Sequence, residues 1–486
     1  MVTALTMSGM AIGAVAVTAA GLPRPGQGEW NRRIAGRAGR RVPARWARPA
    51  DLGALVVRGG PRPPPVGRLV LGRVGRRRVA AERAQSVLVF GPTQSHKTTG
   101  FAVPAILGWD GPVVAASVKS DLLEHTAAHR STLGAVHCFD PTGVTGRPAT
   151  GWSPLPVART WPGARRAAAT LTEVGRAQAG AMSDGDFWYT TASRMLAPLL
   201  FAAATSGRGM ADVVHWVETG EEGEVLDLLA VAGVPEAVDA ARSAFGKEER
   251  QRSSIVTTLE TLLEPFAGAA PRGAPELDPG ALLAGSDSLY LCAPAHDQRR
   301  LTPLFVGILR AVLDHAYERV SRTGRPLDPP LLVVLDEAAN IAPVPDLDAL
   351  AATAAGHGIQ LVTVWHDLAQ ITARFGTRAT TVVNNHRAKL FLSGISDPST
   401  LDYASHLIGD EEPHLAATTA GGRAGPSTTR SPTVRRLAPP DVLRRVQPGS
   451  GILVYRDLPP ARVTLRTWFD DPWLRARATG GTPPVG

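Results

Sequence analysis

Apolar residues fall into short unbroken runs, set between stretches of helical spacing. Residues 86–90 (SVLVF), 331–335 (LLVVL) and 359–365 (IQLVTVW) are apolar with little alternation. That pattern predicts strands buried on both faces, as in the parallel sheet of an α/β protein. Residues 288–295 (SLYLCAPA) and 452–469 (ILVYRDLPPARVTLRTWF) supply further strands. Between 165 and 270 the spacing becomes helical, through GARRAAATLTEV, FWYTTASRMLAPLLFAAA, ADVVHWVETG, EVLDLLAVAG and SSIVTTLETLLEPF. An all-α domain inserted into the α/β core is expected there, with Phe187, Trp188 and Tyr189 in its interior. Residues 416–432 are polar and rich in Gly, Ser and Thr, so a disordered surface loop is expected, as is a disordered tail over 474–486.

The first 22 residues carry no charge. Their length matches a hydrocarbon core crossed by a helix, so 1–22 is expected to be a single transmembrane anchor in the cell membrane. Residues 23–66 follow as a basic neck ending in the stiff stretch PRPPP. Sixteen Arg stand against three acids between residues 23 and 88, while the whole chain has a net charge of only +9. The remainder is therefore mildly acidic, and the charge pattern does not describe a uniformly basic nucleic-acid binder. By the positive-inside rule the neck and main body lie on the cytoplasmic side, with Trp30 and Trp46 at anionic headgroups. Direct contact of the neck with DNA is the alternative. With 44% apolar and 20% charged residues the chain is not wholly disordered, and two Cys are too few for a disulfide framework.

The 86–90 strand runs into Gly91-Pro92-Thr93-Gln94-Ser95-His96-Lys97-Thr98-Thr99, and a helix-compatible stretch follows. Strand, loop and helix in this order are the setting of a Walker A phosphate loop. Its backbone N–H groups surround the β-phosphate of ATP, Lys97 reaches the β/γ oxygens and the Thr98 hydroxyl meets Mg²⁺. His96 stands where the motif has its second glycine, a position at which a Cβ adds bulk beside phosphate.

The 331–335 run ends in Asp336-Glu337. A carboxylate pair at the C-terminal end of a buried strand lies where open α/β sheets bind ligands. Asp336 is expected in the Mg²⁺ shell and Glu337 as the group that polarises the attacking water. The plainer alternative is a helix cap with a first-turn acid. After the 359–365 strand come His366 and Gln370; Gln370 is the candidate γ-phosphate sensor and His366 a further candidate.

Taken in order, these segments resemble the type IV coupling proteins, the TraG/TraD-like conjugative DNA-transfer ATPases. GPTQSHKTT resembles their Walker A, apart from His96, and SVKSDL their strand-end K-x-D segment. CFDPTG with GWSPL resembles their F-D-P and N-P-L segment, with Ser153 where Asn is usual. DFWYTTASRML resembles the helix opening their inserted domain, and LLVVLDEAANIAPVPDL their Walker B. VWHDLAQITARFG and NNHRAKLFLSGISDPSTLDYASHLIG resemble the Gln-bearing helix and the closing strand and helix.

The resemblance implies a membrane-anchored, RecA-like P-loop NTPase core that assembles as a homohexamer around DNA. It implies recruitment of a relaxase-bound single strand to the channel components of type IV secretion, with transfer driven by ATP hydrolysis. It also implies an arginine finger, for which Arg374 and Arg387 are candidates against a plainer reading as surface residues. The expected division is anchor 1–22, neck 23–66, nucleotide-binding domain 67–164 and 271–473, inserted all-α domain 165–270 and tail 474–486. An FtsK-like duplex translocase and a non-hydrolysing recruiting scaffold are the alternatives.

Overall fold

The computed structural model describes residues 43–57, 66–179, 185–267, 275–340, 344–419 and 427–481. Its strands in chain order are β1 (Val70–Val74), β2 (Arg77–Ala80), β3 (Val87–Phe90), β4 (Val113–Ser117), β5 (Val136–Phe139), β6 (Ser288–Cys292), β7 (Leu331–Leu335), β8 (Ile359–Trp365) and β9 (Ala388–Leu392), then β10 (Asp410–Glu411), β11 (His414–Thr419), β12 (Ser427–Pro432), β13 (Arg435–Arg436), β14 (Ser450–Tyr455) and β15 (Ala461–Thr464). Among the described residues eleven of them form one sheet in the order β2-β1-β15-β14-β9-β3-β8-β7-β4-β6-β5. From β9 to β5 all neighbours are parallel. The other end is antiparallel, so the sheet is mixed.

Alternation along the strands sends side chains to two interiors. Leu88, Phe90, Leu331, Val333 and Leu335 join one, together with Leu196, Leu200 and Trp216 of the helical segment. Val87, Val89, Leu332 and Val334 join the other, with Phe101, Ile106, Leu122 and Trp473. The runs are unbroken in sequence because helices cover both faces. The helices Trp161–Ala179, Gly185–Ser206, Met210–Thr219, Gly223–Ala232, Pro235–Phe245 and Glu249–Leu263 all intervene between β5 and β6. Their packing departs from expectation at one point. Phe187 is 52% exposed and packs edge-on against Trp188, so it is not an interior residue.

Both chain ends differ from the sequence reading. The part of the neck that is described lies on the sheet: Leu52 and Leu55 are 1% exposed, and Val56 bridges to Val79 of β2. Arg45 binds Asp51 at 2.6 Å, and Trp46 lies under the Arg462 guanidinium, 4.5 Å from ring centre to carbon. Trp46 is therefore satisfied by the body and not by headgroups. The expected tail instead contains the helix Pro472–Ala478, capped by Asp471 and seated by buried Trp473 and Leu474. The expected loop over 416–432 contains paired strands, with β11 antiparallel to β12 from His414↔Pro432 to Thr419↔Ser427.

The single-pass cell-membrane location is also corrected. No helix among the described residues is long and apolar enough to cross a membrane. The uncharged run at 1–22 and the Arg-rich stretch up to residue 42 lie outside the described residues.

Candidate nucleotide-binding site

Three strand ends define the site. Phe90 pairs with Trp365 across β3 and β8, and Leu335 pairs with Thr363 across β7 and β8. The phosphate-loop segment, Asp336-Glu337 and His366 therefore emerge at one edge of the sheet, although they lie more than 230 residues apart in places.

Gly91 opens the loop, its N–H donating to Trp365 O at 2.9 Å. A Cβ at Gly91 would run into Ser95 Oγ, which leaves room for glycine alone. Ser95 Oγ donates to Pro92 O at 2.8 Å and tightens the turn. Gln94 and His96 adopt left-handed conformations, at φ 66 and φ 64. His96 thus takes the backbone form that the motif's second glycine normally supplies. Its Nδ1 lies 3.2 Å from Thr99 Oγ1, so the ring is held along the following helical turn. That turn, Thr98–Ala102, has no side-chain cap at Lys97, and it runs on into the helix Val103–Leu107. Its first N–H groups are left for an anion.

Lys97 Nζ donates to Pro92 O at 3.0 Å, and burial lowers the ammonium's pKa against the pull of Asp336 and Glu337. Thr98 Oγ1 donates to Asp336 Oδ2 at 2.7 Å, joining the two motifs directly. Asp336 is 3% exposed, and burial pushes its carboxyl up to about 6 despite the Thr98 bond. Its other oxygen, Oδ1, is buried without a hydrogen-bond partner. A buried carboxylate with one orphaned oxygen and a hydroxyl alongside fits a hard divalent cation, so the residues present suit Mg²⁺.

Glu337 turns away from the strand at φ 66, and its Oε1 lies 4.0 Å from His366 Nε2. Asn340 Nδ2 donates to Glu337 Oε2 at 3.4 Å. His366 is held toward its neutral form by burial first and by the nearby Lys97 charge second. Gln370 accepts the His366 backbone N–H at 2.9 Å through Oε1, and its own N–H is capped by Asp367. The structure thus puts His366 beside Glu337 and uses the Gln370 carbonyl to brace His366. Sequence reading by residue type favoured the amide; the position immediately after the strand was the signal for His366. Thr93 and Thr99 complete the loop, and Thr99 O accepts the Trp468 N–H at 3.1 Å from the C-terminal segment. That contact had no signal in the sequence.

The two arginine-finger candidates are engaged within the chain. Arg374 donates to Ala177 O at 3.0 Å, and Arg387 binds Gln85 at 3.0 Å and Glu82 at 3.6 Å. Arg387 precedes β9, at the sheet edge opposite the phosphate loop.

Fold and site together define an α/β P-loop NTPase core built on a mixed sheet. Residues 62–482 match the family described as Type IV secretory system Conjugative DNA transfer, and the chain belongs to it. The conjugal transfer protein TraG of Escherichia coli is 23% identical over 455 residues, covering 82% of this chain and 70% of that protein. Protein VirD4 of Rhizobium radiobacter is 24% identical over 420 residues, covering 80% of this chain and 57% of that protein. Among solved structures, the plasmid coupling protein TrwB in complex with ADP and Mg²⁺ shares the fold, with a TM-score of 0.64 at 15% identity over 87% of this chain and 94% of that one. The resemblance to type IV coupling proteins is thereby established.

Proposed function

We propose that this protein is an ATP-hydrolysing motor that couples a relaxase-bound single strand of DNA to a type IV secretion channel. The observation that carries the reading is the 2.7 Å bond from Thr98 to Asp336, which brings the two nucleotide motifs into one buried site. TrwB, which shares the fold, has been solved with ADP and Mg²⁺ and with a non-hydrolysable ATP analogue, and the same ligands suit the residues here.

In this reading the loop N–H groups from Thr93 to Thr98 bind the phosphates. Lys97, resting on the Pro92 carbonyl, turns its ammonium to the β/γ oxygens. Thr98 Oγ1 and Asp336 would hold Mg²⁺, which supplies positive charge against that developing on the phosphates. Glu337 accepts a proton from the water that attacks the γ-phosphorus. Neutral His366, braced by Gln370, orients that carboxylate and registers the loss of the γ-phosphate. A homohexamer enclosing the DNA completes the proposal. The left-handed His96 supports an intact loop and weighs against the scaffold alternative.

The test is ATP hydrolysis by the full chain, with and without single-stranded DNA, for wild type and Glu337→Gln. DNA-stimulated turnover that falls about a hundredfold or more in the variant is expected. Tight Mg·ATP binding with no wild-type turnover would overturn the motor reading.

A further inference from the structure

The helix that follows the phosphate loop has one carbonyl that it cannot satisfy from within. In the wide turn Thr98–Ala102 the Val103 N–H donates to Thr98 O, five residues back. Thr99 O thereby loses the donor that an ordinary helical turn would give it, which is that same Val103 N–H. The donor five residues on would be residue 104, and Pro104 has no N–H. A carbonyl left open in this way needs a partner from outside the helix. It finds one in the Trp468 N–H, 3.1 Å away and near the other end of the chain.

Side chains hold the same segment against the loop. Leu465 packs on Gly100 so closely that a Cβ there would lie 3.0 Å from Leu465 Cδ1. The Trp468 ring lies on His125, with centres 4.4 Å apart and planes tilted by 33°. His125 belongs to the helix Asp121–Arg130, whose first residue is near enough to Asp336 for its charge to act on that carboxyl. Thr99 is thus gripped twice: its Oγ1 lies 3.2 Å from His96 Nδ1, and its carbonyl takes the Trp468 N–H. The residue before it is Thr98, which bonds Asp336 and carries the hydroxyl assigned to Mg²⁺ in the proposed mechanism.

We infer that Trp468 is a positioning residue for nucleotide, whose backbone N–H locks the wide turn and with it the Thr98 hydroxyl. The C-terminal segment and Mg·nucleotide then engage the phosphate loop cooperatively. The inference rests on reading the site as one for nucleotide. It adds to that site a group that neither nucleotide motif contains.

The experiment titrates the full chain with a fluorescent ATP analogue in Mg²⁺, and follows amide hydrogen exchange in the wild type with and without the analogue. Trp468 is the second residue of a turn closed by the Asp470 N–H on Thr467 O at 3.2 Å, a position that accepts proline. Trp468→Ala removes the ring and keeps the N–H, whereas Trp468→Pro removes both. Trp468→Pro is expected to bind the analogue about fivefold more weakly than Trp468→Ala, the weight of one hydrogen bond. Adding Pro104→Ala supplies Thr99 O with a donor from its own helix, and is expected to restore Trp468→Pro to the Trp468→Ala value. Linkage is reciprocal, so in wild type the analogue is expected to slow exchange over residues 465–470 by about fivefold relative to the edge strand β5. Equal affinities of Trp468→Pro and Trp468→Ala overturn the positioning role and leave the nucleotide reading intact. A loss in Trp468→Pro that Pro104→Ala does not restore also overturns it, because the segment then only supports the fold. Where Trp468→Pro fails to fold, the wild-type exchange decides, and no slowing over 465–470 overturns the role. A wild type that binds no analogue in Mg²⁺ overturns the nucleotide reading itself, and the positioning role falls with it.

Discussion

Replacing His96 by Gly separates the backbone demand of the loop from the contribution of the imidazole. At φ 64 a side chain is strained by about 1–2 kcal/mol, and glycine removes that strain. Two effects oppose the gain. The contact from Nδ1 to Thr99 Oγ1 at 3.2 Å is lost, at about 1 kcal/mol, and the unfolded chain gains entropy of about 0.5–1 kcal/mol. The stability change should therefore stay within about 1 kcal/mol of zero. Nucleotide affinity should be retained or rise by up to about tenfold, because a Cβ beside the phosphate position disappears. His96→Val is the contrasting variant: a β-branched residue at this φ should cost about 2 kcal/mol or more and weaken the loop. Urea unfolding of the full chain gives the stability changes, and titration with a fluorescent ATP analogue in Mg²⁺ gives the affinities. If His96→Gly stays folded but loses nucleotide altogether, the imidazole itself contacts phosphate and the backbone argument is wrong. If His96→Val is as stable as wild type, the left-handed conformation is not what the loop requires.

Lys97→Ala should lower nucleotide affinity by about a hundredfold or more in the same titration while leaving the unfolding midpoint close to wild type, since the cost of burying the ammonium is offset by the Pro92 carbonyl and the nearby Asp336 and Glu337. Retained affinity would remove Lys97 from the site. His386 tests pH dependence away from the nucleotide: it is fully buried, binds the Val382 carbonyl at 2.7 Å and Thr363 at 3.1 Å, and burial holds its pKa at about 4 against an ordinary 6.5. The lowered value favours the neutral native form, so its contribution is complete above about pH 6.5 and is lost as pH falls toward 4, by about 3 kcal/mol in all. Urea midpoints of wild type and His386→Gln, measured from pH 7.5 to 4.5, should converge as pH falls; parallel curves would refute the assignment.

The parts of the fold that were legible in the sequence share one physical cause. β3, β7 and β8 are covered by helices on both faces, so all their positions except Gln360 and Thr363 of β8 are apolar, and the run is visible without knowing what packs on it. The helical segment was legible through its spacing. The antiparallel end of the sheet was not. β1 and β2 carry Arg73, Arg77 and Arg78, and in sequence they merge with the Arg-rich stretch before them. Arg78 is nevertheless only 8% exposed, and its strand pairs with β1, which on its other side pairs with β15 near the far end of the chain. The helix at Pro472–Ala478 was missed for a related reason. Its two anchoring side chains, Trp473 and Leu474, are too few to form a periodic pattern, and the Asp471 cap became meaningful only with them. In β11 and β12 the Thr-rich composition reads as polarity, whereas Thr also favours an extended strand.

The site shows why residue type alone could not rank its members. In chain order the phosphate-loop strand β3 is followed much later by β7 and then by β8, yet in the sheet β8 lies between the other two. That interleaving, invisible in the sequence, places the residue after Trp365 between Lys97 on one side and Glu337 on the other. Gln370 is one helical turn further along, and from there its Oε1 accepts the His366 backbone N–H. A polar residue on the helix after a strand is common and says little. The same residue type directly at the strand end, between two motif-bearing strands, has almost no space that is not functional. In the proposed mechanism the role of His366 therefore follows from strand order, and substitution of Gln370 is expected to act on it through the His366 backbone N–H.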